Sequence, residues 1–425
     1  MDQDQSKGRE RGLRVFVFGL FFLFGGITSL NDVVIPKLKS LFTLSYGEVM
    51  LVQSAFFAAY FIVSLPAAKI VQRLGYMRTA FLGLMSMAIG CVLFIPASST
   101  GLFSTFLISL FVLAAGITIV QIVANPLISM LGNPATVHSR LTFAQAFNSL
   151  GTTVFPYVGS ILILGSLATQ DPSALSGIAL SRFRRAESQV IVHTYTGLAL
   201  ALAVLAALVW IQRRSLVEPR SESPSIRHAL GLIRHRRFGF GAACIFLYVG
   251  AEVAIGSLIV SYLMQSYELG ISARDAGKHV PLYWGGAMVG RFIGAYLLKV
   301  FSPGKVLACA ASAAVLLLLI SAGTLGAGSA YALLAIGLCN SIMFPTIFAL
   351  ACEGLGERAA EGSGIIGVAI VGGAVIPPLT GIAGDHVGLK LALLIPALCY
   401  VGILCYGVYA RHPVVRHAKI VAMSN

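Results

Sequence analysis

Two carboxylates stand where an apolar chain would be expected to have none. Asp32 follows Ser29, Leu30 and Asn31 near the end of a run of phenylalanine, leucine, glycine and valine, four residues before Pro36. Glu252 sits deeper, inside "LYVGAEVAIGSLI". In hydrocarbon an aspartate at a helix centre costs about 2.5–3.5 kcal/mol on insertion scales, so such residues face an interior or a wet cavity and mark ion or substrate pathways. Asp32 is either a cavity carboxylate that takes up a proton or binds sugar hydroxyls, with Asn31 beside it, or a solvated, capped helix end. Glu252 must be protonated or paired. Arg291, in "GGAMVGRFIGAYL", is the intramembrane cation available to it, as a structural clamp or as part of a charged gate.

Amides form a second group. Gln121 and Asn125 are four apart and Gln145 and Asn148 three apart, so each pair shares one helix face. A carboxamide offers two donors and an acceptor, which suits hydroxyls that both give and take hydrogen bonds. Gln53 and Asn340 extend this substrate-binding set. The plainer role is hydrogen bonding between helices, worth about 0.6 kcal/mol on average. Phe56, Phe57, Tyr60, Phe147 and Trp284 are candidates to stack on a sugar ring or simply to pack. Pro126, Pro156, Pro345 and Pro377 each free a carbonyl within a helix and kink it, as hinges or as plain curvature. No P-loop lysine motif and no Ser/His/Asp arrangement is present, so neither an enzyme nor ATP as energy source is expected. The seven cysteines show no CxxC spacing and no histidine cluster, so no metal, cofactor or disulfide is indicated.

The elements that position these groups follow from composition. The chain is 57% hydrophobic and 11% charged, with a mean hydropathy of +0.87. Soluble proteins carry about 25% charged residues, so this composition belongs to an integral membrane protein. The net charge of +14 lies in short loops, without an aromatic-interleaved basic face. It is a topology signal, and no nucleic-acid partner is expected. The run from Val15 to Pro36 exceeds the about 20 residues that span a bilayer and is too long for a signal-peptide core.

Further spanning segments are expected at 15–38, 48–70, 79–97, 102–131, 141–167, 190–212, 238–264, 277–300, 305–323, 329–353, 362–384 and 390–410. This gives an all-α membrane protein of twelve helices. Its expected parts are a tail (1–14), a six-helix bundle (15–212), a linker (213–237), a second bundle (238–410) and a tail (411–425). Alternate loops hold 21 and 8 basic residues, which puts both termini and the linker in the cytoplasm. Internal echoes support two like halves. Asp32 and Glu252 are 220 positions apart, Gln121-x-x-x-x-Pro126 and Asn340-x-x-x-x-Pro345 are 219 apart, and Gly151…Pro156 and Gly372…Pro377 are 221 apart. Two six-helix halves repeated in one orientation is the architecture of the major facilitators.

The residues also resemble a family within that superfamily. "FFLFGGITSLNDVVIPKLKSLFTLSYGEVMLVQSAFFAAYFIVSLPA" looks like the first two helices of the fucose–galactose–glucose/H⁺ symporters. "GITIVQIVANPLISMLG", "RLTFAQAFNSLGT", "YWGGAMVGRFIGA" and "AIVGGAVIPPLTGIAGDHVG" fit its glucose/galactose branch. The resemblance implies proton-driven monosaccharide uptake. It places Asp32 on the family's essential aspartate of helix 1, and Gln145 and Asn148 on sugar-contacting amides of helix 5. Gln121 stands where the fucose carriers have a glutamate, and "KIVQRLGYMR" is a weak form of the superfamily's loop motif, with Gln72 in the acidic position.

Since glutamine cannot titrate, a proton must ride on Asp32 or Glu252, unless Na⁺ drives transport through oxygen ligands such as Asp32 and Asn31. N-acetylglucosamine, fucose or a drug cation are the other cargoes within the transport class, and uniport is a further mode. A sugar sensor is the reading from a different class, and would be expected to append a signalling domain. The expected setting is a bacterial inner membrane, with the protein a monomer in the bilayer.

Overall fold

The computed structural model describes residues 2–130, 137–166, 175–213, 231–353, 355 and 358–411. Among the described residues every regular element is a helix. The first half contains α1 (Asp2–Phe42), α2 (Tyr46–Leu74), α3 (Tyr76–Thr100), α4 (Phe103–Met130), α5 (Val137–Leu162) and α6 (Gly177–Gln212). The second contains α7 (Arg236–Leu263), α8 (Val280–Val300), α9 (Pro303–Gly323), α10 (Gly326–Cys352), α11 (Ala359–Ala369 continued by Gly372–Val387) and α12 (Leu389–Tyr409). Ten of these have a stretch long and apolar enough to cross a bilayer. The other two, α5 and α8, are 26 and 21 residues long and carry Gln145, Asn148 and Arg291, the polar residues that lower their hydropathy.

Some boundaries differ from expectation. α1 begins at Asp2 and runs through Pro36 to Phe42, so the expected tail 1–14 continues the first helix. α6 begins at Gly177 rather than 190 and has 36 residues, about 54 Å at 1.5 Å per residue. Its first turns, with Arg182, Arg184 and Arg185, therefore overshoot a hydrocarbon core about 30 Å thick. Charged residues hide a helix that hydropathy alone would start later. Most of the linker (214–230) and the tail from 412 onward lie outside the described residues.

The repeat seen in the sequence is also a repeat of packing. The pairs α1/α5, α2/α4, α3/α4 and α3/α6 recur six helices later as α7/α11, α8/α10, α9/α10 and α9/α12. Gly151 and Gly372, partners in the echo, explain one such pair. A Cβ on Gly151 would collide with the carbonyl oxygen of Phe22 on α1, and one on Gly372 with that of Phe246 on α7. Glycine lets these backbones touch, as small residues do in membrane helix pairs.

The proline echoes do not produce the same local structure. α4 and α5 run continuously through positions 126 and 156, whereas α10 stops at Asn340 and restarts at Met343, with Pro345, the counterpart of Pro126, in its new first turn, where a missing N–H costs little. α11 likewise breaks at Ile370–Val371, ahead of Pro377.

The halves meet where α5 packs on α8, α2 on α11 and α1 on α7. Two ion pairs brace the individual halves at the end where α1 finishes. Lys37, 1% exposed, lies 2.6 Å from Glu187 on α6, and Lys390 lies 3.1 Å from Glu268 after α7.

Candidate functional site

Asp32 is buried, 3% exposed, between the two halves of the protein. Trp284 Nε1 on α8 donates to its Oδ2 at 3.0 Å. Ser257 Oγ on α7 donates to Oδ1 at 3.3 Å, and Gln53 Nε2 on α2 reaches the same oxygen at 3.5 Å. Gln53 also donates to Ser257 Oγ at 2.8 Å. The carboxylate thus gathers donors from its own half and from the other. A solvated helix end does not describe it, since α1 runs on to Phe42. An ionised carboxylate accepts at up to about four lone-pair positions, so it is matched to a ring of donors.

Glu252 belongs to a second network, formed within the C-terminal half. Tyr248, one turn earlier on α7, donates its hydroxyl to Oε1 at 2.7 Å and lies 3.0 Å from the backbone carbonyl of Asn340. Tyr283 Oη donates to the Glu252 carbonyl at 3.0 Å and accepts from Asn340 Nδ2 at 2.8 Å. Tyr400 Oη donates to Asn340 Oδ1 at 2.7 Å. The two networks adjoin, because the Tyr283 and Trp284 rings meet edge to face at 5.2 Å.

Of the two roles open to Arg291, the clamp with Glu252 is not formed. Arg291 Nη1 instead donates to Ser149 Oγ on α5 at 2.5 Å. α8 turns Arg291 toward the opposite half, while Tyr248 occupies the position beside Glu252. Arg291 is therefore a bridge between halves.

The amides divide by location. Gln145 is exposed and Gln121 half-buried, with Gln121 hydrogen-bonded to the Tyr60 hydroxyl. Asn148 donates to the Phe21 carbonyl at 3.3 Å and packs on Gly25, so it also ties α5 to α1. Asn340 is buried with both amide atoms engaged by tyrosines. Asn31 is wholly buried and neither of its amide atoms has a hydrogen-bond partner among the described residues, a situation that costs about 1–3 kcal/mol per group. It stands apart from the donors around Asp32. Asn125 and Pro126 lie on α4 in a stretch whose side chains fall outside the described part.

Of the aromatic candidates, Phe56 and Phe57 are buried and pack with Tyr60, and Phe147 stacks on Phe18. Trp284 spends its N–H on Asp32. Pro156 and Pro377 are buried and Pro345 is exposed.

Sequence reasoning missed several groups. Tyr248 was within reach, since a residue four before Glu252 shares its helix face. Ser257, Ser149 and Tyr283 gave no signal, because their partners are on other helices. Asp385, near the end of α11, accepts the backbone N–H of Tyr46 at 2.6 Å and of Gly47 at 2.7 Å, at the start of α2. The local sign of that helix start is Ser45-Tyr-Gly-Glu48, whose capping box forms. Ser54 Oγ to the Ala374 carbonyl (2.7 Å) and Gln265 to the Tyr46 hydroxyl (3.2 Å) join the halves nearby. The short helix Ala273–Gly277, after α7, closes on Ser160 and Leu164 through Gly277. Within it, hydrogen bonds from Lys278 and then Ser272 hold the Asp275 carboxyl below the ordinary range.

Twelve membrane helices in two repeated halves, with a buried carboxylate bridging them, define a secondary transporter of the alternating-access kind. The chain matches the Major Facilitator Superfamily over residues 17–378. A glucose/galactose transporter of Brucella abortus is 47% identical over 388 residues, 91% of each chain. The L-fucose-proton symporter of Escherichia coli K12 is 31% identical over 418 residues, 95% of this chain and 94% of its own. A crystal structure of FucP, a major facilitator transporter in the outward conformation, aligns with a TM-score of 0.70 at 31% identity, covering 94% of this chain and 98% of that one. The chain belongs to the major facilitator superfamily, in the group that contains these sugar transporters.

Proposed function

We propose that this protein imports a hexose of the glucose/galactose type together with a proton, by alternating access. The observation that carries the reading is Asp32, a buried carboxylate held by Gln53 from its own half and by Trp284 and Ser257 from the other. A proton on that group changes what it can accept, and therefore how the halves hold together. This is the link that coupling requires. The likeness to a glucose/galactose transporter at 47% identity supports the cargo, and the likeness to a proton symporter supports the ion.

On this reading Asp32 carries the proton and Glu252 serves the C-terminal half. Gln145, Gln121 and Asn148 supply the sugar's hydrogen bonds, and Arg291 gates through Ser149. The bundle boundaries fall at 15–212 and 238–410. The protein works as a monomer in a bacterial inner membrane with both termini cytoplasmic, as the 21 to 8 basic-residue asymmetry favours. The end tied by Asp385, Ser54 and Gln265 then faces outward.

The test is uptake of labelled glucose, galactose, N-acetylglucosamine and fucose into proteoliposomes. Each sugar is given an imposed pH gradient, a Na⁺ gradient, or neither. Accumulation of glucose or galactose under the pH gradient alone is the expected result. Accumulation under Na⁺ alone would make Asp32 a cation ligand, and equilibration in every condition would leave a uniporter.

A further inference from the structure

The second carboxylate sits at a break in a helix. Asn340 is the last residue of the first segment of α10, and the chain resumes as helix only at Met343. Three tyrosines hold Asn340 in place: Tyr400 and Tyr283 through its side chain, and Tyr248 through its backbone carbonyl. Of these, only Tyr248 also touches a titratable group, Glu252 Oε1 at 2.7 Å.

We propose that Tyr248 is a positioning residue that transmits the protonation of Glu252 to the break in α10.

There are fewer hydrogens here than acceptors. A tyrosine hydroxyl has one hydrogen to give, and Tyr248 has two acceptors in range, Glu252 Oε1 and the Asn340 carbonyl. When Glu252 carries a proton, its own O–H donates to the Tyr248 oxygen and the Tyr248 hydrogen is free for Asn340. All the groups are then satisfied. When Glu252 is ionised, the hydrogen turns to the carboxylate, because charge-assisted bonds are the stronger. The Asn340 carbonyl then loses its tyrosine and the break is released. No atom other than the proton need move far. Since Asn340 also holds Tyr283, the residue next to Trp284, movement at the break reaches the donor that serves Asp32.

Among the described residues, titratable and charged groups face Glu252 from four helices. They are Tyr248 on its own helix, Tyr283 and Arg291 on α8, Tyr400 on α12 and, across the interface, Asp32 on α1. Among these, Asp32 is the other carboxyl to separate. The inference uses the transporter reading only for its consequence.

The test is hydrogen exchange of the whole protein in nanodiscs from pH 5.5 to 8.5, corrected for intrinsic rates and read in peptides covering 338–346. The expected result is about a fivefold rise in opening as pH increases, the size of losing one ordinary hydrogen bond. Glu252→Gln should remove the pH dependence and stay at the protected level, and Tyr248→Phe should remove it at the open level. Asp32→Asn should leave it in place. Protection in the wild-type protein that does not vary with pH would overturn the proposal, and this outcome needs no variant to fold. So would a wild-type profile persisting in Glu252→Gln or Tyr248→Phe. The measurement uses neither sugar nor gradient, so a failure here leaves the uptake result standing, and the reverse.

Discussion

Replacing Asp32 with asparagine is the sharpest perturbation of the proposed coupling site. The carboxylate receives Trp284 at 3.0 Å on one oxygen and Ser257 at 3.3 Å on the other, with Gln53 at the edge of range. Asparagine retains one acceptor oxygen and presents an NH₂ group where the other stood. With its oxygen toward Trp284 and its NH₂ toward Ser257 Oγ, which can accept, it keeps both contacts as neutral hydrogen bonds and loses the charge that strengthens them. Both belong to the opposite half, so the loss falls on the contact between halves. Bonds to a charged group are worth about 1.5–3 kcal/mol and neutral ones about 0.5–1.5, so two weakened bonds lose about 2–3 kcal/mol, a roughly 30- to 150-fold shift toward opening at that end, at about 1.4 kcal/mol per decade.

The side chain can also no longer exchange a proton. A pH gradient supplies about 1.4 kcal/mol per unit, enough for about tenfold accumulation with one proton per sugar. In proteoliposomes the wild-type protein should reach that ratio under one unit of gradient. Asp32→Asn should only equilibrate the sugar, while still exchanging labelled for unlabelled sugar by counterflow. Retained tenfold accumulation in the variant would refute the role given to Asp32. Loss of counterflow together with accumulation, in a variant that still melts like the wild type, would show that the carboxylate is needed for binding rather than coupling.

Other consequences are open to measurement. Asp385→Asn removes one of two N–H bonds that cross the halves. Because Asp385 is exposed, screening limits the effect to about 0.5–1 kcal/mol, seen as a roughly two- to fivefold increase in the open population between labels on the ends of α2 and α11. Lys37→Met removes the buried member of the pair and leaves the mostly buried Glu187 carboxylate without it, which should cost about 3–5 kcal/mol in thermal unfolding, with Lys37→Met/Glu187→Met recovering most of it. Gly151→Ala and Gly372→Ala each drive a Cβ into a facing carbonyl. Each should destabilise the fold by a similar amount, about 1–3 kcal/mol, seen as a lowered melting temperature, and an unchanged melt in either would remove the close-contact explanation.

Much of this architecture was legible in the residues because membranes restrict the options. A run of about 20 apolar residues has few fates other than a spanning helix, so all twelve segments were placed, and the Gly151/Gly372 echo marked equivalent contacts. The start of α6 was misplaced because Arg182, Arg184 and Arg185 continue a helix past the hydrocarbon, where hydropathy is blind. Contacts between helices were harder. The sequence offered Arg291 as the partner of Glu252 on charge alone, yet which face of α8 it occupies depends on how α8 meets α5. Ser149 is one hydroxyl among many, and nothing local singles it out. Asp32 stood out because of its cost in an apolar run, but the identity of its donors required knowing that α1, α2, α7 and α8 converge.

The offset of 220 between Asp32 and Glu252 now has a physical meaning, and it is one of contrast. Both sit in the first helix of a half, the position the repeat assigns them. Duplication of a backbone carries over position but not partners. Asp32 receives Trp284 and Ser257 from beyond its own half, so a change in its charge acts on the contact between halves. Glu252 receives Tyr248 from its own helix and lies among Tyr283, Asn340 and Tyr400 of its own half, so a change in its charge acts within that half, at the break in α10. Two carboxylates with the same ancestry in the repeat are thereby suited to different tasks. One ties the halves and the other sets the shape of one of them. A transporter that moves by rocking one half against the other and bending helices within a half needs both kinds of control, and Gln121, which cannot titrate, is not required to supply either.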